Sequence, residues 1–506
     1  MAHRALCPSL LAALALALAL AAAPGPAAAG AADAYYADDA DGVFYFLHLS
    51  DSHIGAITSG PYADDHNSHD HLVWGLGEAV QVVQPVFVVM TGDLTDASWS
   101  IVPAYGPQQD EWDTYKSIVA AAGMTPTFYY DVIGNHDLYA DQDGPHYLAN
   151  SLQGQTHHSW HFDWTHSTSR GDYYFFAMNN IGNYMAPFTY GIGEVTDAEF
   201  NALQAGVLAH TSAPLTIVFG HQPIDRPANW QRMGDLLGQH GAYYVHGDTH
   251  ERHEKLVGQV VVNEITALGK GDQTTGQDND NFAIVAIDHD AFIYRSGTTM
   301  APWPFVVITA PVSHDLHDGA DNPYAYKPCL HSTTSPVRAL VFSKDPLTGV
   351  TAQVGFTAPQ AMTPVAGKPH LYETHVDTTV LSAGFHDVTV IAHVGATSNT
   401  QTIAVDWADC TPVPHQQDGG TDAGGAGDGP AQSDAAPAHD GPAPADDGPA
   451  PTEDATGSDG GVVGAENGGG VGGGCGCRAA ASGSAGGLGV ALLVLALVLG
   501  SRRRRG

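Results

Sequence analysis

Positive charge is scarce in this chain of 506 residues: 18 Lys and Arg stand against 54 Asp and Glu, a formal net charge of −36. A chain so acidic repels polyanions, which excludes a role in coating nucleic acid through a basic surface. Cysteine is scarcer still, five in all, too few for a small disulfide-stapled scaffold. Aromatic residues stop at Trp407, and from Thr411 to Gly474 there are 11 Asp and Glu and no Lys or Arg. That stretch of Asp, Gly, Pro and Ala cannot bury enough apolar area to offset the entropy of ordering, so residues 411–474 are expected to be an acidic, disordered linker. The chain as a whole is 43% hydrophobic, and the remainder therefore has material for real cores.

Both ends carry apolar runs. Arg4, the Leu/Ala run from Leu10 to Ala23 and the small residues Ala27 to Ala29 or Ala32 to Ala34 have the pattern of an export signal peptide, expected over residues 1–34. Residues 475–506 combine Cys475 and Cys477 in a Gly-Cys-Gly-Cys box, an apolar run from Leu488 to Leu499, and Arg502 to Arg505. The run, extended by small residues from Ala479, is just long enough to cross a bilayer, with the arginines on the cytoplasmic side. This three-part pattern resembles the C-terminal sorting tails of myxobacterial surface proteins. It implies partners in export and sorting machinery, a membrane contact through the tail, and display at the cell surface or outer membrane, with release from it as a variant.

Between the ends, near-continuous apolar runs suit strands covered on both faces: 43–49, 86–90, 127–133, 173–178, 215–219, 242–246 and 282–287. Helical stretches lie between them at 70–84 and 111–122. An α/β domain over residues 35–300 is expected. From Trp303 the pattern changes to short alternating runs at 305–309, 337–343, 351–356, 386–393 and 401–405, as in a β-sandwich over residues 303–410. Cys329 and Cys410, near its two ends, are a candidate disulfide.

Five of the strand ends carry metal-type ligands: Asp51-Ser52-His53, Gly92-Asp93, Gly134-Asn135-His136-Asp137, Gly220-His221 and Gly247-Asp248-Thr249-His250. Side chains at the C-terminal edge of an open α/β sheet stand where such sheets place their sites. The glycine before four of them permits a sharp turn that keeps the ligand close to its strand.

With these motifs the region from Phe44 to Ile287 resembles the calcineurin-like metallophosphoesterases, and the flanking words Thr91 to Asp96 and Glu111 to Tyr115 are most similar to a membrane-attached eukaryotic branch. The fold class expected is α/β, a two-sheet α/β sandwich followed by an all-β, immunoglobulin- or fibronectin-like sandwich. The resemblance implies two divalent metal ions. Asp51, His53 and His250 would hold one, Asp93 would bridge, and Asn135 and His221 would hold the other. His136 would protonate the leaving oxygen, with Asp137 orienting its ring. Two ions about 3.5–4 Å apart can clamp the attacking and leaving oxygens of an in-line displacement and activate a water. A phosphate mono- or diester is the substrate implied.

The chain departs from the family at one position. Asp248 stands where the second metal's last histidine belongs. A carboxylate there ligates and favours harder ions, Mn or Fe over Zn, or it leaves the site weak with His246 or His253 as substitutes. The rival class is a cell-surface adhesion or binding protein with a degenerate phosphoesterase domain. Elsewhere, His66, His69 and His71 suit a solvated loop and helix start or the pocket rim. His157, His158, His161 and His166 suit a surface loop or a substrate-facing insertion. Asp225 and Arg226 suit either a phosphate contact or a surface ion pair.

Overall fold

The computed structural model describes residues 42–55, 68–96, 108–139, 141, 143–182, 193–269, 281–330 and 335–409. The leader, the acidic linker, the Cys-box tail, His66 and Cys410 lie outside these residues. Among the described residues no helix is long and apolar enough to cross a membrane.

Two mixed sheets make the first domain. One has the order β11-β10-β1-β2-β3, with β1 (Val43–Leu49), β2 (Val88–Met90) and β3 (Tyr129–Asp131) parallel, and β10 (Asn281–Asp288) and β11 (Ala291–Thr298) antiparallel. The other has the order β4-β5-β6-β7-β9-β8. Its strands are β4 (Phe162–Thr168), β5 (Gly171–Ala177), β6 (Thr216–Phe219), β7 (Tyr243–His246), β8 (His253–Val257) and β9 (Val260–Glu264). The β1 sequence shows why its apolar run is unbroken. Phe44 and Phe46 point into the core between the sheets, against Phe175, Phe219 and Val285. Tyr45, Leu47 and Leu49 point the other way, into a core with Leu72, Trp112 and Tyr115. Those last residues belong to α1 (Ser68–Trp74), continued by α2 (Val80–Val83), and to α3 (Gln109–Ala121). After α4 (Pro145–Asn150) and α5 (Leu152–His157), α6 (Asp197–Ala209) and α7 (Gln231–Gln239) cover the outer face of the second sheet through Leu203, Val207, Met233 and Leu237. The layers are therefore helix, sheet, sheet, helix.

The second domain is a β-sandwich of β12 (Phe305–Ala310), β13 (Ser335–Phe342), β14 (Gly349–Val354), β15 (Gln360–Ala361), β16 (Thr363–Pro364), β17 (Leu371–Val376), β18 (Gly384–Val394) and β19 (Thr397–Trp407). They form two four-stranded sheets, β12-β13-β17-β16 and β15-β14-β18-β19. Val306, Ile308, Val337 and Val341 face Val350, Val388, Val390 and Trp407 across its core. The opposite face of β12 (Phe305–Ala310) and β13 (Ser335–Phe342) presents Val307, Leu340 and Phe342 to the Tyr45 and Leu47 cluster. Cys329 is disulfide-bonded, and Ala408 pairs with it as a strand bridge.

A buried ion pair fixes this junction. Arg338 on β13 meets Asp288 on β10 in a bidentate pair, Nε to Oδ2 at 2.9 Å and Nη2 to Oδ1 at 3.1 Å, both side chains fully buried. Burial pushes the Asp288 carboxyl up, but the Arg338 guanidinium and a His289 hydrogen bond more than offset this and hold it below the usual carboxylate range. Arg338→Met would leave that carboxylate without its guanidinium, at an expected cost of about 3–5 kcal/mol. Because the Asp288 value is depressed, its stabilisation is present above about pH 4 and is lost as pH falls through the folded-state value. Urea midpoints of the two proteins should therefore differ widely at neutral pH and converge in acid; equal midpoints at neutral pH would show that the pair does not hold the junction.

Candidate metal centre

The ligand-bearing loops leave the carboxyl ends of β1, β2, β3, β6 and β7 and meet between the two sheets. The turns are tight enough that Asp51, His53, Asp93, Asp248 and His250 all take positive φ, from 44° to 81°, a region costly for side-chain-bearing residues and concentrated at functional sites. Gly92 shares this conformation at φ 97°. Gly134 and Gly247 serve a different purpose, close approach. A Cβ on Gly134 would lie 2.0 Å from the Asp93 nitrogen, and one on Gly247 would lie 2.0 Å from Ser50 Oγ.

Ligand atoms converge in this space. Asp96 Oδ1 is 2.9 Å from His53 Nδ1. This ion-pair contact turns Nε2, the other ring nitrogen, toward the remaining ligands. That Nε2 lies 3.1 Å from His250 Nε2 and 3.7 Å from Asp51 Oδ1. Asp51 Oδ1 is buried without a hydrogen-bond donor, and His250 Nε2 stands 3.3 Å from it. His221 is held in the same way: its Nδ1 donates to the Thr91 carbonyl at 2.6 Å, which turns Nε2 to within 3.2 Å of Asp93 Oδ1 and 2.9 Å of Asn135 Oδ1. The Asn135 amide is turned this way because its Nδ2 donates to Tyr139 Oη. Asp93 joins the two groups, with Oδ2 3.8 Å from His53 Nε2 and Oδ1 facing His221. Three buried carboxylate or amide oxygens and three imidazole nitrogens gathered this closely form a pocket that attracts cations. The donor set, imidazole and carboxylate with one amide oxygen, fits two divalent ions.

Charge reinforces the geometry. Burial raises the Asp51 carboxyl, but His221 and His250 outweigh it and bring it down to about 2. Burial likewise opposes ionisation of Asp93, yet His221 and His136 hold it well below the usual range. Behind the site, His48 is sandwiched between Tyr294 Oη at 2.7 Å and Thr91 Oγ1 at 2.8 Å. Burial lowers this ring to about 3, against the pull of Asp51, so it supports Thr91 as a neutral group.

The structure corrects one role and sharpens another. Asp137 does not orient His136. Its carboxylate accepts from the Leu94, Thr95 and Gly134 nitrogens and from Thr95 Oγ1, pinning the β2 and β3 loops together. The residue at the His136 ring is Asp96, whose Oδ1 is 3.4 Å from Nδ1. Asp96 was legible only as an acid three positions after Asp93; no local pattern assigns it a ring to hold. The second case is Asp248. Its Oδ1 lies 3.6 Å from His221 Nε2, while its Oδ2 accepts from Arg226. Arg226 is thus tied to the centre's edge, and Asp225 is exposed.

The remaining histidines resolve to structural places. His246 is buried with Nδ1 against the Gly247 carbonyl, and His253 pairs with Glu251 and Asp318 away from the ligands. His71 is buried against the Leu268 carbonyl, and His69 is exposed. His158 and His161 lie in the short connection 158–161, whereas His157 ends α5 and His166 lies on β4, whose alternating exposure reads as polar in sequence. There His161 bonds Glu199, and His166 stacks on Phe44.

The chain is similar to several known proteins. Mouse transmembrane protein 62 is 27% identical over 328 residues, 62% of this chain; the chain spans 48% of that protein's length. Among solved structures, GAP50, the anchor in the inner membrane complex of Plasmodium, is similar at 14% identity and a TM-score of 0.34, over 51% of this chain and 85% of that one. Residues 44–252 match the family model of the calcineurin-like phosphoesterases, a family of hydrolases with a dinuclear metal site, and the chain carries a domain of that family.

Proposed function

We propose that this protein is a metal-dependent phosphoesterase that hydrolyses a phosphate mono- or diester. The observation that carries the reading is the convergence of carboxylate, imidazole and amide ligands from five strand ends beside one imidazole that reaches solvent. His136 is 16% exposed, whereas the side chains of His53 and His221 are fully buried.

In this reading Asp51, His53 and His250 hold one ion, Asp93 bridges, and Asn135, His221 and Asp248 hold the second. Bound ions of this kind neutralise phosphate charge and activate a water. The chain supplies the rest. His136 Nε2, 3.9 Å from Asp93 Oδ2, stands at the mouth of the centre, where it delivers a proton to the leaving oxygen. Asp96 Oδ1, 3.4 Å from Nδ1, places a negative charge beside the ring that favours its proton-donating form. Arg226, anchored on Asp248, adds a guanidinium at the second ion's edge, where phosphate oxygens would lie. A carboxylate at Asp248 in place of an imidazole favours Mn or Fe, with Zn as the softer alternative.

The leader and tail patterns support export and display at the cell surface, anchored through residues 475–506. Sequencing the mature N-terminus tests this: a chain that still begins at Met1 is not processed as proposed.

The activity is tested by stripping the purified full chain with a chelator, reloading it with Mn, Fe or Zn, and assaying p-nitrophenyl phosphate and bis-p-nitrophenyl phosphate. Hydrolysis should return with metal and identify the ester class. No turnover of either ester with any of the three metals would sink the proposal and favour the adhesion-protein reading.

A further inference from the structure

Away from the metal centre, a cavity of about 450 Å³ opens where β9, β11 and the β-sandwich meet, within the size range of small-molecule sites. Its walls come from both domains. Tyr243, Asn263 and Tyr294 belong to the first, Leu316 and Thr402 to the second.

The charge in these walls is unevenly matched. Arg252 pairs with Glu254 at 3.0 Å, and Asp315 faces His314 at 2.9 Å. Among the described residues no carboxylate pairs with Arg295. Its guanidinium reaches the main-chain carbonyls of Val306 and Thr400 and lies over the Phe305 ring, 4.8 Å from the centroid. Burial, with Arg252 nearby, brings its pKa down to about 10, so the charge persists at neutral pH in a poorly solvated place. Two further wall residues are short of acceptors: Arg252 Nε and Asn263 Nδ2 are buried without a partner. Glu254 and Asp315 balance the two arginines in number, but buried donors without acceptors beside a guanidinium held only by carbonyls and a ring describe a site that takes an anion. The stacked Tyr243 and Phe292 rings add an apolar surface beside them.

We propose that this cavity binds a small organic anion, its oxyanion end at Arg295 and Arg252 and its apolar body along Tyr243 and Leu316. Carboxylates and phosphates share the chemistry, and the ligand would bridge the two domains. The site is independent of the catalytic reading.

The test is calorimetric titration of the full chain with benzoate, with phenylphosphonate and with neutral benzamide. One of the two anions should bind at one site per chain, and which binds tighter separates the carboxylate from the phosphate class. Benzamide should bind at least about tenfold more weakly, the scale of a lost hydrogen bond to a charged group. Binding should survive Asp93→Asn, which disables the metal centre, and weaken about tenfold or more in Arg295→Gln. Arg295 also ties two carbonyls at the junction, so Arg252→Gln, on a side chain 34% exposed, serves as a second variant that should fold regardless. No binding of either anion, equal binding of benzamide, loss with Asp93→Asn, or unchanged affinity in Arg252→Gln would each overturn the proposal.

Discussion

Asp93→Asn should cut hydrolysis sharply and cost the centre at least one ion. The substitution keeps side-chain shape and suits the positive φ of 50° that Asp93 occupies, so it tests charge rather than backbone strain. Asp93 presents one oxygen to His221 at 3.2 Å and the other to His53 at 3.8 Å. It faces ligands of both groups with separate oxygens, while Asp51 borders both as well. An amide offers one neutral acceptor in place of two charged ones and cannot bridge two cations. The expected result is a fall from two bound ions per chain to one or none, and a rate lower by about 10³-fold or more, because the ions supply several kcal/mol of charge stabilisation. The Asp93 Oδ1 contact to the His136 backbone nitrogen, at 2.8 Å, can be kept by the amide oxygen, so the fold should survive. Elemental analysis showing two ions per chain in this variant would remove Asp93 from the bridging role.

His136→Ala should separate chemistry from metal binding. The ring touches Asp96 through Nδ1 and packs near His53 and Tyr139, with centroids 4.6 and 4.7 Å away. None of the residues assigned to the ions depends on it for its tautomer, since His53 has its own bond to Asp96. Two ions should stay bound while the rate falls by about 10²–10⁴, the range of a positioned general acid. The loss should be smaller for esters whose leaving group departs without a proton, such as p-nitrophenol, than for alkyl esters. Asp96→Asn should act through the same ring. It removes the charge that favours the imidazolium, and the limb of the pH–rate profile that reports the acid should move to lower pH. Loss of metal in His136→Ala would make it a ligand, and an equal loss on both kinds of ester would deny it the proton.

How far the sequence reached depends on what kind of signal each feature leaves. The β1, β6 and β7 runs were legible because strands buried on both faces need continuous apolar residues, as Phe46 and Leu47 show on opposite faces. Strands with one wet face left no such mark: in β4, Phe162 is buried while Asp163, Thr165 and Ser167 are exposed, and the segment reads as loop. Thr196 caps α6 through its hydroxyl, but the helix buries only a few of its residues and its pattern is weak.

The sequence by itself determined the ligand types, their order, and their position after strands, because a metal site needs particular side chains at sheet edges and little else in the sequence supplies them. It also determined the change to alternating strands after Trp303. Tertiary structure alone decided which acid serves which ring. Asp96 and Asp137 are near-equivalent neighbours of the motifs, and only the packing of the β2 loop against the β3 loop sends Asp137 to backbone nitrogens and Asp96 to His53 and His136. It likewise decided the Arg226–Asp248 pair, the Arg338–Asp288 clamp and the cavity at Arg295. Each joins residues 22 or more positions apart, and hydrogen bonds and ion pairs act over a few ångströms of space, a distance no spacing along the chain encodes.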